Sequence, residues 1–171
     1  HAMIHWKEFV SRDRYFTKSM RRYYLGSMIL PYEFHIPNGW VPSKRNNGSV
    51  LIFSHELSRT GAPIVAATAA KILKENGYFV IVASFREEPL MDDILSDGIP
   101  VLIDQSISDY RWRLPEDVPS TISHSINFII HDFDLVFVNT FVCHNIINCY
   151  NGTNVPLLWW LHEGYSSFEG D

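Results

Sequence analysis

The sequence predicts an α/β fold: a Rossmann-like, doubly wound parallel sheet of about five strands, preceded by an N-terminal amphipathic helix. Two observations lead to this fold class. Short apolar runs at 50–54 and 157–161 end abruptly in polar and glycine residues, which is typical of strands buried on both faces. From Ser49 onward such runs alternate with helix-like segments through short connections, which indicates parallel strands joined by right-handed crossovers.

The individual elements follow from apolar runs, helical periodicity and glycine or proline boundaries. The predicted strands are 50–54, 78–84, 100–104, 135–139 and 156–161, and the predicted helices lie near 62–76, 89–96, 120–131 and 141–150. Gly77 is expected to end the first of these helices as its C′ residue. A strand order of 3-2-1-4-5 places the topological switch point, where such sheets bind ligands, beside Ser54 and Asn139.

Residues 1–48 form a basic segment ahead of the domain at 49–171. His1 to Met3 look like residues left over from an expression tag. Residues 4–25 are predicted to form an amphipathic helix with aromatic and basic residues on opposite sides. The rest of the segment is expected to be irregular linker. It has 8 Lys and Arg against 3 Asp and Glu, whereas the remainder of the chain has 6 against 16. The apolar side of the helix either packs on protein or lies on an anionic membrane surface.

Composition narrows the class of protein. Cys143 and Cys149 lie on one predicted helix at a spacing that suits neither a zinc site nor a disulfide framework. No apolar run reaches the ~18 residues of a membrane span, and no signal peptide is visible. We therefore expect a cytoplasmic protein, peripheral at the inner face of the membrane if the basic helix docks there. Nucleic acid binding is disfavoured because the body of the domain is acidic.

The segment from Ser54 to Pro63, SHELSRTGAP, follows the first predicted strand and opens a helix. Gly61 lacks a Cβ, so a ligand can approach its backbone closely. The start of the helix offers unpaired N–H groups and a positive dipole end, and Arg59 could add a charge-assisted contact to a phosphate. The alternative is an ordinary strand-to-helix loop with an exposed arginine.

Two further strand ends carry polar residues. His162 and Glu163 follow the last strand, where a neutral imidazole can donate or accept a hydrogen bond to a hydroxyl-rich ligand. Asn139 and Thr140 follow the fourth strand. Any one of these could be simple loop structure. The absence of GxGxxG, GxxxxGK[ST] and GxSxG patterns argues against a dinucleotide-binding domain, a P-loop NTPase and an α/β-hydrolase.

The order in which these motifs occur resembles that of a known protein family. SHELSRTGAP with its alanine-rich helix, then GIPV, DLVFVNT and VPLLWWLHEG, resembles the N-terminal domain of retaining glycosyltransferases of family 4. The resemblance covers about 49–164 and implies the GT-B architecture, in which two Rossmann-like domains face each other across a cleft. It also implies a C-terminal nucleotide-binding domain with paired glutamates in an E-x7-E motif, which has no counterpart in this chain.

The resemblance implies roles for particular residues. The loop after the first strand would lie by the donor diphosphate, at Arg59, Thr60 and Gly61, and His162 would contact the donor sugar as the catalytic candidate. The other residues at the strand ends are expected to bind substrate: Ser54, His55, Asn139, Thr140, Glu163 and Gly164. No metal or cofactor is expected, and Asp104 and Asp109 look like loop or surface carboxylates.

The leading hypothesis is therefore the acceptor-side half of a GT-B glycosyltransferase. It would move a sugar from a nucleotide-sugar to a glycan or lipid-linked acceptor with retention, and the isolated chain would be inactive without its C-terminal partner domain. One alternative is a non-catalytic glycan-binding or docking module with the same fold, since fold alone does not define function. A sugar-nucleotide epimerase of the same architecture is a third possibility.

Overall fold

The structure, a computed structural model, describes residues 33–40, 47–104, 130–148, 150 and 154–162. The predicted amphipathic helix at 4–25 lies outside these residues, as does nearly all of the predicted helix at 120–131. Among the helices that the structure describes, none is long and apolar enough to cross a membrane.

Within the described part of the chain, six strands form one mixed, mostly parallel sheet. In chain order they are β1 (Glu33–His35), β2 (Ser49–Ser54), β3 (Phe79–Ser84), β4 (Val101–Ile103), β5 (Leu135–Asn139) and β6 (Leu157–Trp160). Across the sheet their order is β1-β4-β3-β2-β5-β6. Central strand β2 pairs in parallel with β3 on one side and β5 on the other, so the direction of winding reverses beside it.

The five predicted parallel strands, β2 to β6, are confirmed in the predicted relative order, with the switch point between β2 and β5. The sixth strand is a correction. β1 lies in the segment expected to be irregular linker, and it pairs antiparallel with β4 at the edge of the sheet. Three residues are too few to show a period-2 pattern, so this strand could not be predicted from the sequence. Phe34 packs against the core and anchors the strand.

The described helices lie on the two faces of this sheet. They are α1 (Gly61–Glu75), α2 (Leu90–Ser96), a 3-10 turn (Phe141–Cys143) and α3 (His144–Asn148). The helix predicted at 141–150 is therefore shorter than expected and begins with a 3-10 turn. In α1 the buried residues Pro63, Ala66 and Ala70 recur at helical spacing, and their small side chains let the helix lie close to the sheet.

Gly77 ends α1 as predicted. It has a φ of 83°, its N–H donates to the carbonyl of Lys74, and the N–H of Tyr78 donates to the carbonyl of Leu73. These two bonds form a Schellman motif, with Gly77 in the left-handed conformation that glycine adopts without strain. The motif turns the chain directly into β3.

Alternating residues of the central strands fill two hydrophobic clusters. On one face, Val50 and Ile52 of β2 pack with residues of α1 and α2. On the other face, Leu51 and Phe53 pack with Ile130 and with Ile146 of α3. Both faces of β2 are therefore buried, as its continuous apolar run predicts.

Strand β6 departs from the prediction of burial on both faces. Leu158 and Trp160 are 51 % and 46 % exposed, whereas Leu157 and Trp159, on the opposite face, pack against the core. The reason is position: β6 is the outermost strand of the described sheet, and no described helix covers the face that carries Leu158 and Trp160. An apolar run therefore marks a strand without showing how many of its faces are covered.

Candidate functional site

The candidate site lies at the carboxyl ends of β2, β5 and β6, beside the switch point. The loop after β2 runs from His55 to Thr60 and leads directly into α1. The tip of β5 is Asn139, and His162 lies just beyond β6. Because parallel strands end at the same edge, three segments that are distant in sequence meet here.

The start of α1 keeps its helix-terminal donors available. Thr60 is the N-cap residue in an extended conformation (φ −118°, ψ 176°), and its side chain makes no capping hydrogen bond. Its hydroxyl instead lies 2.8 Å from the hydroxyl of Ser58. The first turn also contains no acidic residue. N–H groups of a first helical turn have no intrahelical acceptor, so this helix start suits an anionic group.

Gly61, the first residue of α1, is not required by the fold. Apart from its chain neighbours and the backbone of α1, a Cβ added at this position would meet no atom of the described residues within 4 Å, and the backbone does not adopt the left-handed conformation. The two ordinary structural reasons for a glycine, a positive φ and a crowded backbone, are therefore absent at this position. A ligand that approaches the backbone closely is a third reason, and it is the one that the sequence predicts.

Arg59 contacts another part of the domain. Its Nε and Nη2 donate to Oδ2 and Oδ1 of Asp93 on α2, both at 3.1 Å, in a bidentate pair. Both side chains are more than half exposed. Arg59 therefore lies near the start of α1 but is held by a carboxylate, and a diphosphate would have to compete with Asp93 for it.

Asn139 connects two of the three segments. Its side chain is fully buried, its Nδ2 donates to the carbonyl of Ala62 at 2.7 Å, and its Oδ1 lies 2.6 Å from Nε2 of His162. One buried amide therefore holds the exposed His162 ring in a fixed relation to the first turn of α1. Trp160 adds to this, since its ring stacks on that of His162 with centroids 5.3 Å apart.

Thr140 has an unusual backbone. With φ 69° and ψ 155° it is the one non-glycine residue with a positive φ among those described. This region of conformational space is occupied almost only by glycine, and the strain costs about 1–3 kcal/mol. The contacts that hold it are its N–H, which donates to the carbonyl of Trp160, and its carbonyl, which accepts from Nε1 of Trp159. The strained peptide thus joins the ends of β5 and β6.

The residues at the tip of β2 are more buried than expected for direct ligand contacts. Ser54 is fully buried and its hydroxyl donates to the carbonyl of Glu56 at 2.8 Å, which shapes the loop. His55 is half-buried, with Nε2 3.6 Å from Oε1 of Glu56. The same Glu56 oxygen accepts from Ser58. The loop is therefore stiffened by its own polar side chains.

The remaining carboxylates and possible metal ligands lie elsewhere. Glu163, Gly164 and Asp109 fall outside the described residues. Asp104 lies in the loop directly after β4, as a loop carboxylate, but it is 2 % exposed and so is not a surface carboxylate. Among described residues, Glu33, His35 and Glu87 bring potential ligand atoms within 4.8 Å of one another, but at the opposite edge of the sheet from His162. The two glutamates are largely exposed and pair with the imidazole.

Sequence reasoning found most of these residues but missed the contacts between them. The bond from Asn139 to Ala62 spans 77 positions, and the pair between Arg59 and Asp93 spans 34, so neither leaves a local pattern. The stacking of Trp160 on His162 did have a signal, because residues two apart in an extended segment share a face.

The fold defines a Rossmann-like α/β domain, and its polar strand ends meet at the switch point. A sequence model described as "Glycosyl-transferase family 4" matches residues 46–169, well over half of the chain. The chain therefore belongs to glycosyltransferase family 4, and the resemblance to the N-terminal domain of a GT-B enzyme is confirmed. No curated protein and no solved structure matches the chain significantly.

Proposed function

We propose that this chain is the acceptor-side half of a glycosyltransferase that takes a sugar from a nucleotide-sugar donor, with the donor diphosphate at the start of α1 and the donor sugar near His162. Family membership supports the transferase class. The observation that carries the placement is the buried Asn139, which joins the first turn of α1 to His162. A diphosphate and its attached sugar need two such neighbouring positions.

The proposed position of the nucleotide-sugar diphosphate depends on the start of α1. An uncapped first turn supplies N–H donors and the positive end of the helix dipole, which stabilise the growing negative charge on a departing diphosphate. Gly61 leaves room for the phosphate oxygens to reach those donors. Arg59 joins them once it leaves Asp93.

The resemblance to retaining glycosyltransferases of family 4 supports a proposal for the acceptor and for the outcome of the reaction. We propose a glycan or lipid-linked acceptor, with transfer that retains the anomeric configuration, without a metal or other cofactor. Ser54, His55 and Thr140 would shape the acceptor side of the cleft. A C-terminal Rossmann-like domain would supply most of the nucleotide site. The isolated chain would then have little or no activity.

The N-terminal segment adds a proposal about location. Its excess of basic residues suits an anionic membrane surface. We propose a cytoplasmic enzyme that binds peripherally to the inner face of the membrane, where a lipid-linked acceptor would be found. Binding of the chain to anionic vesicles should then weaken as the Debye length falls from ~10 Å at 0.1 M salt to ~3 Å at 1 M. Failure to sediment with such vesicles at low salt removes this part of the proposal.

The test is transfer and hydrolysis of a panel of UDP-, GDP- and dTDP-sugars by the full-length gene product, with this chain alongside. Turnover by the full-length protein and none by the chain alone supports the half-enzyme and identifies the donor. The full-length protein should also lose activity in His162→Ala if that side chain contacts the sugar. Absence of both turnover and donor binding, with a range of glycan and lipid acceptors present, supports the non-catalytic docking module instead.

A further inference from the structure

We propose that Glu33, His35 and Glu87 bind one divalent transition-metal ion of the Zn²⁺ class, and that this ion joins β1 to the loop between β3 and α2. One potential ligand atom from each of the three side chains lies within 4.8 Å of the other two. The cluster lies at the opposite edge of the sheet from His162, so the metal site does not depend on the proposed transfer reaction.

Two of the ligands come from one face of β1. Glu33 and His35 are two residues apart in a strand, so their side chains leave the sheet on the same side. Phe34, between them, packs against the core on the other side. Pairing of β1 with β4 holds the backbone of all three residues in register. The sheet therefore fixes the spacing of the first two ligands.

The third ligand comes from the loop at 85–89, which carries Glu87 and joins β3 to α2. At the start of this loop the hydroxyl of Ser84 donates to the carbonyl of Arg86 at 3.1 Å. At its end the N–H of Leu90 donates to a carbonyl of the loop after β2 at 2.9 Å. Because the backbone is held at both ends, little entropy is lost when the side chain of Glu87 binds an ion.

The distances between the ligand atoms suit a tetrahedral ion. Nε2 of His35 lies 3.2 Å from Oε1 of Glu87 and 3.7 Å from Oε2 of Glu33. Two ligands of tetrahedral Zn²⁺, each about 2.0–2.2 Å from the metal, are about 3.4 Å apart. The Glu33 and Glu87 side chains are 69 % and 46 % exposed, so they can rotate to complete the geometry. The same exposure gives the ion a path of entry from solvent.

The imidazole nitrogen of His35 needs a partner. Nε2 is shielded from solvent, yet among the described residues it has no hydrogen-bond partner, although a carboxylate oxygen lies 3.2 Å away. Buried polar atoms are nearly always hydrogen-bonded, so this exception calls for an explanation. A metal ion on the lone pair of Nε2 supplies the partner, and its two positive charges offset those of the two carboxylates.

The ligand types select the class of ion. Imidazole suits Zn²⁺ and its neighbours in the first transition row, whereas Mg²⁺ and Ca²⁺ prefer oxygen ligands alone. Three protein ligands leave a fourth position for water, and His35 lines an open cleft of about 700 Å³ through which water can reach it. Because the ligands are distant in sequence, the bound ion closes a long loop and should stabilise the pairing of β1 with β4.

The test is a titration of the full-length protein with Zn²⁺ after a chelator has removed bound metal. Zn²⁺ should raise the Tm of this domain by about 5–10 °C once its free concentration exceeds Kd a hundredfold, and Mg²⁺ should not. Zn²⁺ should also slow hydrogen exchange of the backbone amides of β1 and β4, which locates the ion. A wild type that does not bind Zn²⁺, or that binds it without protection of β1, overturns the proposal.

Single variants identify the ligands. His35→Gln and Glu87→Gln should each weaken Zn²⁺ binding by about tenfold or more and remove the protection of β1, since loss of an outer-shell partner alone costs about 10- to 100-fold. Glu88→Gln is the matched control, because Glu88 is a carboxylate of the same loop outside the cluster. It should keep the wild-type affinity. Equal affinity in His35→Gln and the wild type overturns the proposal. The wild-type titration and exchange data decide binding at β1 even if a variant does not fold.

Discussion

Arg59 and Asp93 hold each other in a bidentate pair, with both N···O hydrogen bonds at 3.1 Å, at the mouth of the proposed diphosphate site. The guanidinium group of Arg59 therefore already lies near the start of α1, but its Nε and Nη2 donors are bound to a carboxylate. Both side chains are more than half exposed, so the pair contributes only about 0–1 kcal/mol to stability. A ligand with stronger charge can displace Asp93 at little cost.

Asp93→Asn should therefore improve donor binding. The variant frees Arg59, so the KM for the nucleotide-sugar in the full-length enzyme should fall by about two- to fivefold, the equivalent of an exposed ion pair. The control is Asp97→Asn, which breaks a comparable exposed pair between Lys71 of α1 and Asp97, the residue directly after α2. Equal KM values in both variants and the wild type would mean that Arg59 does not reach the donor.

At position 140, the alanine and glycine variants should rank in stability in the reverse of their usual order. Because its backbone lies where a Cβ is strained, Thr140→Gly should be more stable than Thr140→Ala by about 1 kcal/mol. The control is Thr68, which lies inside α1, where alanine should be more stable than glycine by about 1 kcal/mol. Urea denaturation of the four variants measures both differences. The same ranking at both positions would show that Thr140 is not strained.

Lys71 makes stability depend on pH in the alkaline range. Its side-chain hydrogen bond to Asp97, and then the charge of Asp97, raise the pKa of Lys71 above its ordinary value of 10.5. A group whose pKa is raised by folding stabilises the fold fully below its unfolded pKa and loses that contribution as pH rises through its folded pKa. Lys71→Gln should therefore unfold more easily than the wild type at pH 9, and the difference should vanish well above 10.5.

The check is thermal denaturation of wild type and Lys71→Gln across that range. Because the side chain is exposed, the effect at pH 9 should be small, and Asp97→Asn should remove it. A difference that persists unchanged to the highest pH would show that Lys71 stabilises the fold by packing rather than by charge.

Asp134 should prove structural although it belongs to the DLVFVNT motif. Its Oδ2 accepts from the N–H and the hydroxyl of Ser49 at 2.7 and 2.8 Å, at the opposite end of the sheet from His162. Asp134→Ala should lower the free energy of unfolding by about 1–3 kcal/mol, since it leaves buried donors unpaired. Donor KM should stay unchanged in the full-length enzyme. A large rise in KM with unchanged stability would reverse this assignment.

The sequence predicted the fold closely because its signals are local. Continuous apolar runs mark β2 and β3, and Gly77 marks the end of α1. Two predictions about the fold were wrong. Strand β1 was missed because it is too short to show a pattern. The exposure of Trp160 was missed because it depends on which elements cover β6. The residues of the candidate site were predicted from their positions at strand ends, and the structure brings Asn139 and His162 together there.

Their contacts could not be found in the same way. No spacing rule joins Asn139 to Ala62 or turns Arg59 towards Asp93, because these contacts depend on how α1 and α2 dock on the sheet. The burial of Asp104 has the same origin. Sequence reasoning therefore locates the edge of the sheet at which the candidate site lies, whereas the side-chain network can be described only from the packed structure.

The most direct measurement of the central claim is the donor kinetics of Gly61→Val in the full-length enzyme. A Cβ here meets no described atom within 4 Å apart from its chain neighbours and the backbone of α1, so a valine at this exposed position should leave the fold intact and block only a ligand that approaches the start of α1. Thr68→Val, two turns further along α1, is the control for a valine at an exposed position of the same helix away from the proposed site. We predict that kcat/KM for the nucleotide-sugar falls by about tenfold or more in Gly61→Val and stays at the wild-type value in Thr68→Val. Wild-type kinetics in Gly61→Val would contradict the placement of the diphosphate at this helix.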